Sequence, residues 1–116
     1  MYQLNFSDQS MGELNKLSPD AQMHLFETIS ALTPDDLENP TQKGLKLCTR
    51  EGRIFYRLRA GEYRIYFEIQ DESLYSHYIL QQHSVADFVF RTGLPVSEET
   101  LEQQPSFWEY LESLKK

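Results

Sequence analysis

The feature that most constrains the fold is a change of hydrophobic period near the middle of the chain. Residues 53–59 and 63–69 each alternate apolar side chains with polar or charged ones, and residues 60–62 between them contain Gly61. Alternation with a period of two is typical of a strand with one buried face, and so short a connection favours an antiparallel hairpin. A further run at 74–81 follows a second short turn, which predicts a three-stranded meander.

The first third of the chain has the period of amphipathic helices after one short strand at residues 2–6. Ser7 or Asp8 can cap a first helix, and Ser18 followed by Pro19 is a strong start signal for a second. The apolar stripes of the two helices are Met11, Leu14, Leu17 and then Leu25, Phe26, Ile29, Leu32. Residues 33–44, with two prolines, are predicted to form a loop.

These elements predict an α+β domain. We expect two N-terminal helices to pack on one face of a small, mostly antiparallel four-stranded sheet, because amphipathic helices and a one-sided sheet bury their apolar surfaces against each other. Residues 1–92 would form this domain. Residues 93–116 would form an acidic helical extension, packed on the domain or at an interface, with Ser106 to Glu109 as a capping box.

The charge of the chain is unevenly distributed. The 116 residues carry a net charge of −7, but residues 42–70 hold seven Lys and Arg against three Glu, a local +4. A protein acidic overall is a poor default candidate for nucleic-acid binding. The single Cys48 excludes an intramolecular disulfide, and the absence of a long apolar run or a signal-like N-terminus favours a cytoplasmic protein without membrane contact.

The basic block carries the chemistry that the sequence offers. Arg57 and Arg59 lie two apart on one strand, so they point the same way, and Arg64 of the next strand should come close to facing Arg59. Guanidinium groups bind phosphate and carboxylate through paired hydrogen bonds. The alternative is an ordinary charged sheet face, on which Glu62, Glu68 or acids of the C-terminal extension neutralise the arginines.

Two further side chains are candidates for work on RNA. Tyr66 shares the arginine face and can stack a base, although strand tyrosines more often pack against helices. His83 follows the last strand and can act as a general acid or base near neutral pH. The spacing of the histidines and Cys48 fits no metal site, and no cofactor-binding motif is present, so neither a metal nor a cofactor is expected.

The hairpin sequence YRLRAGEYRIYFEI, residues 56–69, resembles the YRLRxGxYRxxYxI hairpin of the RelE/ParE family of toxin–antitoxin toxins. The preceding strand and two helices match that family in order and length, and the resemblance covers about residues 1–91. It implies a RelE-like fold in a prokaryotic toxin–antitoxin system, with a cognate antitoxin as partner. The RelE branch cleaves mRNA on the ribosome without a metal and leaves a 2′,3′-cyclic phosphate, which inhibits translation. The ParE branch poisons gyrase.

For a RelE-like endoribonuclease, the resemblance implies that Arg57 and Arg64 bind the scissile phosphate. His83 is not a residue of the family pattern, but it would substitute as the general acid or base. The remaining candidates would contact RNA, and they are Lys43, Lys46, Arg50, Arg53, Arg59 and Tyr66. The sequence leaves open whether the protein forms a homodimer.

Three positions depart from the family pattern. Phe55 stands where active members often carry Lys, Ser84 lies near a usual Arg, and Phe90 lies near a usual Tyr. The alternative is therefore a weakened or inactive RelE-fold protein that acts as a protein-binding module. We also consider that the acidic extension, with a charge of −3 over residues 93–116, folds back on the basic face and blocks it. Its apolar residues can instead complete the core or a dimer interface.

Overall fold

A five-stranded sheet organises the part of the chain that the computed structural model describes, residues 2–38, 44–82 and 102–114. The strands are β1 (Gln3–Phe6), β2 (Leu45–Arg50), β3 (Arg53–Ala60), β4 (Tyr63–Gln70) and β5 (Ser73–Gln81). The helices are α1 (Asp8–Asn15), α2 (Pro19–Ser30), α3 (Pro34–Glu38) and α4 (Pro105–Ser113). None of these helices is long and apolar enough to cross a membrane.

The sheet order is β1-β5-β4-β3-β2, in which β1 runs parallel to β5 and all other neighbours are antiparallel. The α+β class and the meander are confirmed. The prediction of four strands is wrong because β2 is a fifth. This strand buries Leu45 on one face and Cys48 on the other, so it lacks the one-sided alternation that reveals a strand.

Tight turns fix the register of the meander. Glu51 and Gly52 join β2 to β3 with φ values of 53° and 79°, the left-handed conformation that a two-residue hairpin needs. Across the next hairpin Arg59 lies opposite Arg64, which confirms the predicted cross-strand pair. The register of these two hairpins is thus set within a few residues of their turns, whereas the pairing of β4 with β5 shifts register between Tyr66 and Phe67.

The N-terminal helices cover one face of the sheet, as predicted. Leu14, Leu25 and Ile29 of these helices join a continuous core with residues of β3 to β5, among them Leu58 and Ile65. Ser7 and Ser18 cap α1 and α2, each accepting a backbone N–H bond at 3.2 Å, from Ser10 and Ala21 respectively. This layer forms the larger of the two cores.

Two predictions about the helices are wrong. The segment expected to be a loop contains α3, where the backbone N–H of Thr33 donates to Asp36 and the Thr33 hydroxyl accepts from the Asp36 N–H, a capping box. In α4 the helix begins at Pro105, one residue before the predicted cap Ser106. Proline suits the first helical position because the N–H it lacks has no partner there.

Helix α4 covers the opposite face of the sheet. Its residues Phe107, Trp108 and Leu111 are buried against Phe55 and Tyr66 and form a second core. The described structure therefore has three layers, with helices on both sides of the sheet. The sheet face that was predicted to display arginines to solvent is therefore largely covered by α4.

Candidate nucleic-acid interface

A row of polar side chains crosses the middle of the face under α4. Lys46 of β2 lies opposite Arg57 of β3, and Arg57 lies opposite Tyr66 of β4. Direct cross-strand neighbours point to the same side of a sheet. Two cations and a phenol are thus aligned across three adjacent strands.

The carboxylate of Glu102 sits on this row. Its Oε2 accepts a hydrogen bond of 2.9 Å from the Tyr66 hydroxyl and lies 3.3 Å from Nε of Arg57. Its Oε1 lies 3.5 Å from Nζ of Lys46. Glu102 is only 2% exposed, so one buried anion is shared among all three members of the row.

The backbone at Glu102 is fixed by α4. The indole N–H of Trp108 donates a 2.8 Å hydrogen bond to the Glu102 carbonyl. The Trp108 ring packs near Phe55, with ring centroids 5.1 Å apart, and edge-on to Tyr66 at 5.9 Å. The carboxylate and the apolar face of α4 therefore belong to one packed unit.

Arg59 and Arg64 lie at the hairpin end of the same strands but differ in exposure. Arg59 is exposed, whereas Arg64 is 6% exposed and its Nη1 donates to the backbone carbonyls of Gly61 and Tyr63, at 3.1 Å each. The Arg64 guanidinium is thus turned toward the β3–β4 turn. Of this pair, Arg59 is the one presented to solvent.

Arg50 and Arg53 occupy the other end of the face. Arg50 pairs with Glu112 of α4 at 3.1 Å and lies over the Trp108 ring at 5.6 Å. Arg53 is ion-paired to Glu68 through both carboxylate oxygens. Oε1 of Glu68 also lies 2.7 Å from Nε2 of His77, so a histidine joins this charged network. His77 lines a small cleft beside α4 together with Phe55 and Trp108.

Three pKa shifts follow from these contacts. Burial and the nearby Glu102 carboxylate raise the pKa of Tyr66 well above its usual value. Burial, followed by the same carboxylate, raises the pKa of Cys48 to about 12. Burial alone would raise the pKa of Glu68, but hydrogen bonds with Arg53 and His77 outweigh it and the pKa falls.

The predicted site residues are only partly brought together. The structure joins Lys46, Arg57 and Tyr66 in one cluster and leaves Arg50 and Arg53 at the rim. Lys43 and His83 lie outside the described residues, as do Ser84 and Phe90.

The exposure expected of Tyr66 is corrected by the structure. This residue is 1% exposed, beneath α4 and with its hydroxyl bound to Glu102, so it cannot stack a base in this conformation. Sequence reasoning also missed Glu102 and His77 as members of the site. The only signal for Glu102 was the acidity of the C-terminal extension, and no sequence pattern pointed to His77.

Comparison with known proteins identifies the class of fold. No family model matches the sequence, and no curated protein is significantly similar to it. Solved structures do match, however, and the chain has a RelE-like fold.

Two of these structures are toxin–antitoxin complexes. The archaeal RelE–RelB complex of Pyrococcus horikoshii OT3 matches with a TM-score of 0.57 and 17% identity, over 70% of this chain and 94% of that one. The RelBE2 complex of Mycobacterium tuberculosis matches with a TM-score of 0.51 and 22% identity, over 69% and 96%. Each matched chain is almost fully covered, whereas nearly a third of the present chain has no counterpart.

Proposed function

We propose that this protein is a RelE-like toxin that inhibits translation by cleaving mRNA on the ribosome without a metal ion. The observation that carries the proposal is the alignment of Lys46, Arg57 and Tyr66 across one sheet face, with Arg59 exposed at its end. The RelE-like fold supports the assignment to this class. A cognate antitoxin is the partner that this class implies.

The chemistry requires little beyond positioned cations and proton donors. In RNA cleavage the 2′-oxygen attacks the adjacent phosphorus, the 5′-oxygen leaves, and a 2′,3′-cyclic phosphate forms. Arg57 and Lys46 would stabilise the charge that develops on the phosphate oxygens. Arg59 would hold the RNA backbone. The resemblance gives phosphate binding to Arg64 as well, but its guanidinium donates to backbone carbonyls of the hairpin turn, so we assign it the positioning of that turn instead.

The 2′-hydroxyl must lose a proton as it attacks, and the leaving 5′-oxygen must gain one, so the reaction also needs a base and an acid. His83 is the candidate from the sequence. Tyr66 cannot act as a phenolate base while Glu102 is in place, because its pKa is far above neutral. Removal of the carboxylate would lower that pKa and leave a phenol beside two cations.

A second candidate is a protein-binding module without nuclease activity. It is favoured by Phe55, which is 5% exposed and packed between Trp108 and the Arg53 guanidinium. Its position is one at which the family resemblance implies a lysine. On this alternative the cations would recognise acidic protein segments rather than RNA.

A cell-free translation assay with mapped mRNA ends separates the two candidates. The full chain and its Glu102→Gln variant are added, and we expect cleavages ending in a 2′,3′-cyclic phosphate that Arg57→Gln abolishes. Lys16→Gln is the matched control, because Lys16 is a solvent-exposed lysine of the opposite layer. Intact mRNA with both the wild type and Glu102→Gln would overturn the nuclease proposal in favour of the binding module.

A further inference from the structure

The Glu102 carboxylate occupies the place that the proposed function gives to a phosphate. Its two oxygens reach Lys46 on one side and Arg57 with Tyr66 on the other, at 2.9 to 3.5 Å. Carboxylate and phosphate oxygens are bound by the same donors, guanidinium and ammonium groups above all. The same donors cannot serve both anions at once.

The residues that follow Glu102 close the face around it. Phe107 and Leu111 are fully buried and Trp108 is 4% exposed, all against the sheet surface that carries the polar row. Arg50 of β2 contacts α4 at two points, through an ion pair with Glu112 and a cation–π contact with the Trp108 ring. A strand of RNA could not reach Arg57 without displacing this helix.

The same segment has features that make it releasable. Helix α4 has nine residues and no side-chain hydrogen bond at its N-cap. A helix that short is marginal in water unless tertiary packing supports it. Burying Glu102 and Arg57 together also carries a desolvation cost that offsets much of their attraction. Docking and folding of α4 are therefore coupled.

We propose that residues 102–114 are a built-in cover that competes with RNA for the Lys46–Arg57–Tyr66 row, with Glu102 standing in for a phosphate. The inference rests on the proposed function, since it names the surface that RNA would need. The chain then exists in a closed state, with the row occupied by its own carboxylate, and an open state, in which the row is free for RNA.

The chain supplies two reporters of opening. Cys48 is its single cysteine and Trp108 its single tryptophan, and both lie in the core beneath or within α4. Release of the cover exposes both, so thiol labelling and a red shift of indole emission measure opening independently of any RNA activity.

The test compares the wild-type chain with its Glu102→Gln and Glu109→Gln variants. Each substitution removes one negative charge from the same segment, but Glu109 is exposed and so serves as the matched control. Breaking a buried ion pair is strongly destabilising, so we expect Glu102→Gln to raise the Cys48 labelling rate about tenfold or more. We expect a similar gain in affinity for a single-stranded RNA oligonucleotide of mixed sequence, measured by fluorescence anisotropy. Glu109→Gln should match the wild type in both.

Hydrogen exchange separates opening from unfolding. Amides of α2, in the opposite layer, should keep their protection in Glu102→Gln while those of α4 lose it. Should α2 also lose protection, Leu111→Ala replaces the variant, since it weakens the packing of α4 on the sheet without touching the buried carboxylate or any cation of the basic face. The expected results for labelling and RNA affinity are the same.

The outcomes distinguish the cover from the proposed function. Equal Cys48 labelling in all variants would overturn the cover. Equal RNA affinity in all variants would also overturn the cover, but it would leave the nuclease proposal intact. Faster labelling of Glu102→Gln with no RNA binding by any variant would overturn the competition with RNA, whereas the proposed function is overturned only by intact mRNA in the translation assay.

Discussion

Glu102 accepts a 2.9 Å hydrogen bond from the hydroxyl of Tyr66, 36 residues earlier in the chain. The two groups are almost fully buried, and both lie beside the Arg57 guanidinium. This contact joins the C-terminal segment to the centre of the basic sheet face. It makes that segment part of the site rather than an appendage to the fold.

The Tyr66–Glu102 hydrogen bond should be measurable as stability. Replacing Tyr66 by Phe removes the donor and leaves a buried carboxylate with fewer partners, and a hydrogen bond to a charged group is worth about 1.5–3 kcal/mol. We expect Tyr66→Phe to lower the free energy of unfolding by about that amount in urea titrations. Tyr63→Phe, at the edge of the other core, should change it by less than about 0.5 kcal/mol. Equal effects of the two substitutions would contradict the contact.

The Arg53–Glu68–His77 network predicts a pH dependence with a definite sign. The pKa of Glu68 in the folded chain lies below its ordinary value of 4.5 because hydrogen bonds with Arg53 and His77 outweigh the effect of burial. Its contribution to stability is therefore fully present above about pH 4.5 and is lost as the pH falls through the folded-state pKa.

Chemical denaturation at a series of pH values checks this. The difference in unfolding free energy between the wild type and Glu68→Gln should be constant at neutral pH and shrink below pH 4.5. The exposed Glu62→Gln serves as control and should show no such trend. A wild-type advantage that grows on acidification would show that the pKa of Glu68 is raised instead.

Ser18 and Ser106 were both predicted from the sequence to cap helices, but the structure predicts different losses of stability when each is replaced. Ser18 caps α2 through its side chain, and Ser18→Ala should cost about 1 kcal/mol. Ser106 lies inside α4 and is exposed, so Ser106→Ala should stay within about 0.5 kcal/mol. Thermal unfolding of both variants measures the contrast, and a larger loss at Ser106 would restore it as the cap.

Contacts within a few residues of a turn could be predicted from the sequence. Arg59 and Arg64 face each other because the hairpin turn sets the register, and Ser18 caps α2 because its signal lies in three consecutive residues. Both features follow from local sequence signals, and each signal was sufficient to predict its own contact.

The contacts of Glu102 could not be predicted in this way. The apolar side of α4 was visible as Phe107 and Leu111 in helical spacing, but that pattern does not say which surface it packs on. Glu102 stands before the helix in a polar stretch without any motif. Its burial depends on Lys46 and Arg57 being brought together by three strands, which is a property of the whole fold. The same holds for His77, whose partner Glu68 lies on a neighbouring strand beside an irregularity in register.

The thiol of Cys48 should be nearly inert while α4 is docked. Burial, reinforced by Glu102, raises its pKa to about 12, and only the thiolate reacts with alkylating reagents. We expect iodoacetamide at pH 8 to modify the native chain far more slowly than free cysteine. The chain in 6 M guanidinium chloride should react at the ordinary rate. Mass spectrometry follows both reactions. Rapid modification of the native chain, with its amides still protected from exchange, would mean that the second core is open in solution.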